Sequence, residues 1–158
     1  MPAFGALSRG DRLLFILVLA VFGGVDAAYL TYEWYAHATA SWCDIDPFWN
    51  CSKVRESSWS AIGGVPTATI GLAGFAILAA LAVLALRGRE RIGPLSTILW
   101  IIVFAILGAS IGVVLTLVEI FVIRAICILC MLGFVLDLAI LGLAVTLRGG
   151  DYSASRSE

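Results

Sequence analysis

Long apolar stretches separated by short polar segments make up most of the chain. Four of them reach the roughly 20 residues that a helix needs to cross the hydrocarbon core of a bilayer. These stretches are approximately residues 13–32, 65–86, 95–118 and 126–147. A segment in lipid must pair its own backbone groups, and the alternating pattern of barrel strands is absent from the sequence. The pattern therefore predicts an all-α fold, an integral membrane bundle of four transmembrane helices.

The third and fourth stretches run into one another almost without a break. Only Glu119 and Arg124 interrupt the apolar residues at the join, and neither Gly nor Pro marks it. Because the combined stretch is too long for a single span, we expect a tight turn at about residues 119–125.

One long polar loop, residues 33–64, separates the first two stretches. Within it, residues 52–62 place several apolar side chains on one helical face, and Gly63-Gly64 followed by Pro66 would end a helix. We therefore expect a short helix that lies across the mouth of the bundle as a lid.

Composition agrees with a membrane protein, since 61% of the residues are hydrophobic and only 13% are charged. The formal net charge of -1 gives no general attraction to nucleic acid. A chain of 158 residues has room for one bundle, so we expect a single membrane domain over residues 1–158.

The basic residues flank the spans unevenly, which predicts the orientation. The side that holds both termini carries Arg9, Arg12, Arg87, Arg89, Arg91, Arg148 and Arg156, and the opposite side carries Lys53, Arg55 and Arg124. By the positive-inside rule, this multi-pass protein of the cytoplasmic membrane has cytoplasmic termini and an extracytoplasmic 33–64 loop. A cleaved signal peptide is the alternative for the first stretch, but its length and Asp26 favour a retained span.

The four cysteines form two spaced pairs. Cys43 and Cys51 lie in the polar loop, and Cys127-Ile-Leu-Cys130 begins the last apolar stretch. Thiol-disulfide exchange requires that a thiolate meets a disulfide, so two pairs at one face indicate a relay whose loop pair a soluble protein can reach. Cys127 lies nearer the start of its helix, where the macrodipole favours a thiolate.

An ordered set of short motifs runs through nearly the whole chain. The motifs are Asp26-Ala-Ala-Tyr29-Leu-Thr, Cys43, Cys51-Ser52-Lys53-Val54 with Ser57, Gly64-Val65-Pro66 with Gly71, and Cys127-Ile-Leu-Cys130. At these spacings the set resembles the vitamin K epoxide reductase family. The resemblance implies a four-helix bundle around a quinone, of the menaquinone, ubiquinone or vitamin K type. Many bacterial members carry a fused thioredoxin-like domain; this chain has none, so we expect a separate thioredoxin-like or DsbA-like partner.

The same resemblance implies a role for each thiol. Cys130 faces the quinone and Cys127 exchanges with the loop, where Cys51 attacks the Cys127 side and Cys43 meets the partner protein. Ser57 resembles the hydroxyl that hydrogen-bonds a quinone carbonyl, although a helix-surface serine is the alternative.

Three further residues are candidates for the site. Trp59 either lines the roof of the quinone pocket or anchors the loop at the membrane interface. Asp26 and Asp137 are ionisable residues inside spans, for which function is the default interpretation. Asp137 lies two turns below Cys130 on the same helical face, near the quinone cavity or a proton path. Asp26 is expected to fix the loop or the helix ends, and a structural hydrogen bond is the alternative for both.

Other functions remain open for the same residues. Four cysteines can close a zinc site, but the Ile-Leu spacer inside a membrane helix disfavours one, so we expect no metal. Two purely structural disulfides in a membrane scaffold are another alternative. A DsbB-type thiol oxidase uses the same chemistry with the order of its cysteine pairs reversed. An epoxide or quinone reductase that acts for its small-molecule product is the remaining enzymatic alternative.

Overall fold

Four long helices form the body of the computed structural model, which describes residues 8–37 and 40–154. In chain order its helices are α1 (Arg9–Tyr35), the short α2 (Cys51–Arg55), α3 (Thr67–Leu86), α4 (Thr97–Val118) and α5 (Ile128–Ala154). The long helices are long and apolar enough to cross a membrane. The prediction of an all-α membrane bundle with four spans is therefore confirmed, and the protein is a multi-pass membrane protein.

Helix α1 is central to the packing, because it lies against both α3 and α5, while α4 packs against α3 and α5. Two glycines allow close approach between helices. A Cβ atom at Gly23 would lie 2.4 Å from the ring of Phe75, and one at Gly112 would lie 2.4 Å from Phe134. Small residues at these crossings let an aromatic ring fill the space that a side chain would occupy.

Two small β-hairpins connect the long helices. Strands β1 (Ala61–Ile62) and β2 (Val65–Pro66) are antiparallel, with Ala61 opposite Pro66. Strands β3 (Arg91–Ile92) and β4 (Leu95–Ser96) pair in the same way. The turn of the first hairpin is Gly63-Gly64, and both glycines have positive φ angles, 59° and 83°. A two-residue hairpin turn of this kind favours glycine because a Cβ atom is strained at positive φ.

The expected lid helix over residues 52–62 is only partly present, and its predicted length is wrong. Helix α2 ends at Arg55, and Ala61–Ile62 is a strand. The residues between them include Ser57, Ser58 and Ser60, whose side chains compete with helical hydrogen bonding. The Gly63-Gly64 pair, predicted to end a helix, is instead the turn of a hairpin.

The chain reverses between α4 and α5 within the predicted range, but in a different form. Instead of a tight turn over residues 119–125, helical structure continues as one π-helical turn, Glu119–Ile123. The reversal follows at Arg124, which has a left-handed conformation with φ 55°. Glycine is the usual residue at such a position. Because an arginine occupies it, the sequence did not indicate where the helix ends.

Polar contacts join the helices at the end of the bundle opposite the cysteines. Ser8 and Asp11 form a capping box at the start of α1. Arg12 donates a hydrogen bond to the carbonyl of Thr146 near the end of α5, over 3.3 Å. Arg9, the first residue of α1, forms an ion pair of 3.9 Å with Glu90 in the connection between α3 and α4. The start of α1 and the end of α5 therefore lie together.

Candidate active site

All four cysteines lie together at the other end of the bundle. Cys43, Cys51 and Cys127 are each only 1% exposed and form one apolar cluster with Leu129, against which Cys130 packs. Cys43 and Cys51 form a disulfide, whereas Cys127 and Cys130 are free thiols. The structure thus brings together the two pairs that the sequence places more than 70 residues apart.

Backbone hydrogen bonds attach the disulfide loop (residues 40–60) to the segment just before Cys127. The amide of Asn50 donates to the carbonyl of Ile126 over 3.1 Å, and the amide of Ile126 donates to Phe48 over 2.7 Å. Trp49 pairs with Ile126 in a short parallel bridge. Cys51 directly follows Asn50, so this attachment carries it to the first residues of the last span.

The burial of the loop disulfide differs from our expectation. We expected a soluble protein to reach the loop pair directly, but both sulphur-bearing residues are almost fully covered. In the described structure the disulfide is therefore not open to a soluble protein.

Cys127 immediately precedes the first residue of α5 and acts as its N-terminal cap. Its sulphur accepts a hydrogen bond from the amide of Cys130 over 3.2 Å, the contact that an N-cap side chain makes with the third residue of a helix. A backbone N–H group therefore points at the Cys127 sulphur, in agreement with the predicted position at a helix start. Cys130 lies one turn further along the span.

A buried carboxylate holds the end of α1 to the disulfide loop. Glu33 is 4% exposed and accepts hydrogen bonds from Tyr29 over 2.6 Å and from Ser41 over 2.7 Å. It also forms an ion pair with Arg55 over 3.2 Å. The Ser41 hydroxyl lies 3.2 Å from the Cys43 sulphur, so this network reaches one atom of the disulfide. Sequence analysis did not identify it; the spacing of Tyr29 and Glu33 by one helical turn was its only local signal.

Asp44 joins the two halves of the disulfide loop. Its carboxylate accepts hydrogen bonds from the amide of Ser41 over 2.8 Å and from the amide and hydroxyl of Ser52 over 2.9 and 2.6 Å. Burial alone raises the pKa of this carboxyl, but the hydrogen bonds from Ser52 and Ser41 and the charge of Arg55 outweigh it, so the pKa lies below its usual value.

We predict that Glu33→Ala destabilises the protein much more than Glu56→Ala, which removes the same charge from an exposed position nearby. Loss of Glu33 leaves the buried guanidinium of Arg55 without this carboxylate, and breaking a buried ion pair costs about 3–5 kcal/mol. Thermal unfolding of both variants in detergent measures the difference. Equal midpoints for the two variants would show that the network contributes little to stability.

A cavity lies beside the thiols, between α1, α4, α5 and the disulfide loop. Its empty volume, counting the part open to solvent, is about 590 Å³. Apolar side chains such as Leu30, Val54 and Leu115 form much of its wall, and Cys51, Cys127 and Cys130 also line it. The cavity is thus a largely apolar space next to the free thiols.

The predicted pocket residues Ser57 and Trp59 both line this cavity. The Ser57 hydroxyl donates a hydrogen bond to the carbonyl of Val54 over 2.7 Å. It must rotate away from that carbonyl before it can donate to a bound quinone. The ring of Trp59 is half exposed at the cavity rim.

Asp26 and Asp137 do not belong to the residues that line the cavity. Asp26 lies near Gly133 of α5, where an added Cβ atom would be 3.4 Å from its carboxylate. Asp137 is 6% exposed and packs against Gly108 of α4, and its Oδ2 atom has no hydrogen-bond partner among the described residues. The structure therefore separates both residues from the cavity, and neither contact assigns a role.

Glu119 is a site residue that we had considered only as a marker of the turn. It is 3% exposed, lines the cavity, and accepts a hydrogen bond from the amide of Cys127 over 3.1 Å. The sequence signal for this residue was a carboxylate at the end of an apolar span. Placing an ionisable residue there costs free energy, so function is the default interpretation.

Comparison with known families agrees with this geometry. A model of the vitamin K epoxide reductase family matches residues 14–145 of the chain. The matched region runs from the first span to the last and contains all four cysteines and every residue that lines the cavity. The resemblance deduced from the motifs is confirmed.

Proposed function

The chain belongs to the vitamin K epoxide reductase family and is a membrane oxidoreductase, and from this premise we propose that it carries electrons from a thiol protein to a quinone. In this proposal the donor is a separate thioredoxin-like or DsbA-like protein. Electrons pass through the Cys43–Cys51 pair and then through the Cys127–Cys130 pair. The result is the formation of disulfides in the donor and its substrates.

The observation that carries the proposal is the contact of both cysteine pairs in one apolar cluster beside a largely apolar cavity. A relay requires that the loop dithiol reduces the helix disulfide, which leaves the loop pair oxidised and the helix pair reduced. A formed loop disulfide beside free helix thiols, as in the described structure, supports this proposal. The helix dithiol is then ready to reduce a quinone.

The positions of the thiols support the order of attack that the family resemblance implies. Cys51 lies beside the start of α5, so it is the loop thiol that would attack Cys127, and Cys43 is left for the partner protein. Cys130, one turn deeper in the span, would face the quinone. Ser57 would hydrogen-bond a quinone carbonyl after its hydroxyl rotates, and the ring of Trp59 would cover the cavity at its rim.

We also propose that the cysteine-bearing end lies on the extracytoplasmic face and that both termini are cytoplasmic. The excess of arginine at the opposite end supports this orientation by the positive-inside rule. Disulfides persist on the outer face of the membrane, where the relay would find its protein donor.

We predict that replacing both loop cysteines, Cys43→Ala with Cys51→Ala, separates the two kinds of donor. Oxidation of a thioredoxin-like protein should fall on the order of 100-fold or more, because the entry pair is gone. A small membrane-permeant dithiol should still drive quinone reduction, since it can reduce the Cys127–Cys130 pair directly. Both rates are measured from quinone absorbance.

The wild-type protein with each donor is the control for this experiment. Equal loss with both donors would make the loop pair structural. If the wild type reduced the quinone with the small dithiol but never with a thiol protein, the enzyme would instead act for its small-molecule product.

A further inference from the structure

Reduction of a quinone by the helix pair moves protons as well as electrons. The Cys127 and Cys130 thiols lose two electrons and two protons and form one S–S bond, while the quinone gains both electrons and a proton on each of its two oxygens. Because the thiolate is the reactive form of cysteine, a proton must leave a sulphur before that sulphur can react. A group beside the thiols that accepts this proton would speed the reaction.

Glu119 is placed to be that group. Its carboxylate is buried in the wall of the cavity that Cys127 and Cys130 also line. One oxygen, Oε2, accepts a hydrogen bond from the Cys127 amide over 3.1 Å. Glu119 thus lies beside the reactive pair.

The other charged groups near the cavity are differently engaged. Glu33 of α1 and Arg55 of α2 both line it, but they form an ion pair with each other. Asp26 of α1 does not line the cavity. Helix α3 contributes no ionisable side chain to the lining. Within the described residues, Glu119 is the cavity carboxylate that no basic side chain neutralises.

We propose that Glu119 accepts a thiol proton from the Cys127–Cys130 pair and returns it to a quinone oxygen, which deepens the proposed function and rests on it. The carboxylate takes the proton from the attacking thiol as the sulphur becomes nucleophilic. The second thiol proton passes to the other quinone oxygen as the S–S bond closes. Glu119 ends the cycle ionised again, so it is neither consumed nor oxidised.

The competing explanation is that Glu119 only caps the start of α5 through the Cys127 amide. A matched pair of variants separates the two roles. Glu119→Gln keeps a carbonyl oxygen that can accept this amide but cannot take up a proton at neutral pH. Glu119→Ala removes both functions, and Glu119→Asp keeps a carboxylate at a shorter reach.

The test is a single turnover of dithiol-reduced protein, freed of reductant, with a short-chain naphthoquinone, followed by absorbance across the neutral pH range. We expect Glu119→Gln to lower the rate about 100-fold, at the lower end of the usual contribution of a general base. Its rate should rise steeply with pH, because only thiols that ionise without help react. Glu119→Asp should retain more activity than Glu119→Gln and a pH profile close to that of the wild type.

The proposal would be overturned if Glu119→Gln had the rate and pH profile of the wild type while Glu119→Ala was slow. Glu119 would then serve only as a cap for the start of α5. Should Glu119→Gln fold poorly, as judged by its unfolding midpoint, addition of formate to Glu119→Ala decides: restored rate supports proton transfer, and no restoration opposes it. If the wild-type protein itself fails to reduce the quinone, the proposed function is wrong, a result distinct from failure of the role of Glu119.

Discussion

Cys130→Ser is expected to abolish quinone reduction whichever dithiol supplies the electrons. Cys130 lines the cavity, and a serine hydroxyl can neither donate the electrons nor close a disulfide with Cys127. Cys127→Ser should have the same effect, because the pair forms one bond. Losses on the order of 1,000-fold or more are usual when a nucleophile is removed. Quinone absorbance with a small membrane-permeant dithiol measures the rate.

Cys51→Ser is the matched control, since it makes the same substitution in the pair that the small dithiol bypasses and leaves no Cys51 thiol to attack Cys127. That variant should retain most of its activity with the small donor. Normal quinone reduction by Cys130→Ser would remove the direct redox role of the helix pair. Quenching of Trp59 fluorescence, which the half-exposed ring at the cavity rim should show, would confirm that the inactive variant still binds quinone.

The four spans were predictable from sequence because their cause is local. Lipid demands a long apolar helix whatever surrounds it, so length and composition sufficed to identify α1, α3, α4 and α5. Adjacent signals also identified the two cysteine pairs and the start of the last helix near Cys127. The ends of the helices were less predictable, since α1 and α5 continue beyond the apolar residues.

Contacts between distant segments were not predictable in the same way. The sequence around Trp49 does not predict its pairing with Ile126. The backbone hydrogen bonds at this bridge hold the disulfide loop against the bundle. The ion pair of Glu33 with Arg55 and the cap from Glu119 to Cys127 likewise join residues that only the fold brings together. A buried carboxylate is stable where its hydrogen bonds are complete, a condition that cannot be read from one segment.

The attachment of the disulfide loop links the two halves of the proposed relay. While Asn50 and Ile126 remain hydrogen-bonded, Cys51 stays beside the helix pair and both loop sulphurs are covered. The closed loop therefore suits exchange between the pairs, and an open loop suits exchange with the protein partner. Alternation between these two positions would prevent both exchanges from occurring at once.

The last prediction is that Cys43→Ala accumulates a disulfide between Cys51 and Cys127. With the helix pair oxidised, the Cys51 thiolate attacks Cys127, a new S–S bond forms, and Cys130 leaves as a thiolate. In the wild type Cys43 then attacks Cys51 and releases Cys127. Without Cys43 that release cannot occur, and the two residues already share one cluster. Peptide mapping by mass spectrometry under non-reducing conditions detects the linked peptides.

Adding Cys130→Ser to Cys43→Ala removes the thiol that would reverse the attack, so a mild oxidant should make the link between Cys51 and Cys127 nearly complete. Cys51→Ala is the matched control: it keeps Cys43 as the single loop thiol, and it should form no comparable link to Cys127. A relay must pass through one bond between its pairs. Absence of a Cys51–Cys127 bond from both variants that lack Cys43 would therefore refute this order of exchange.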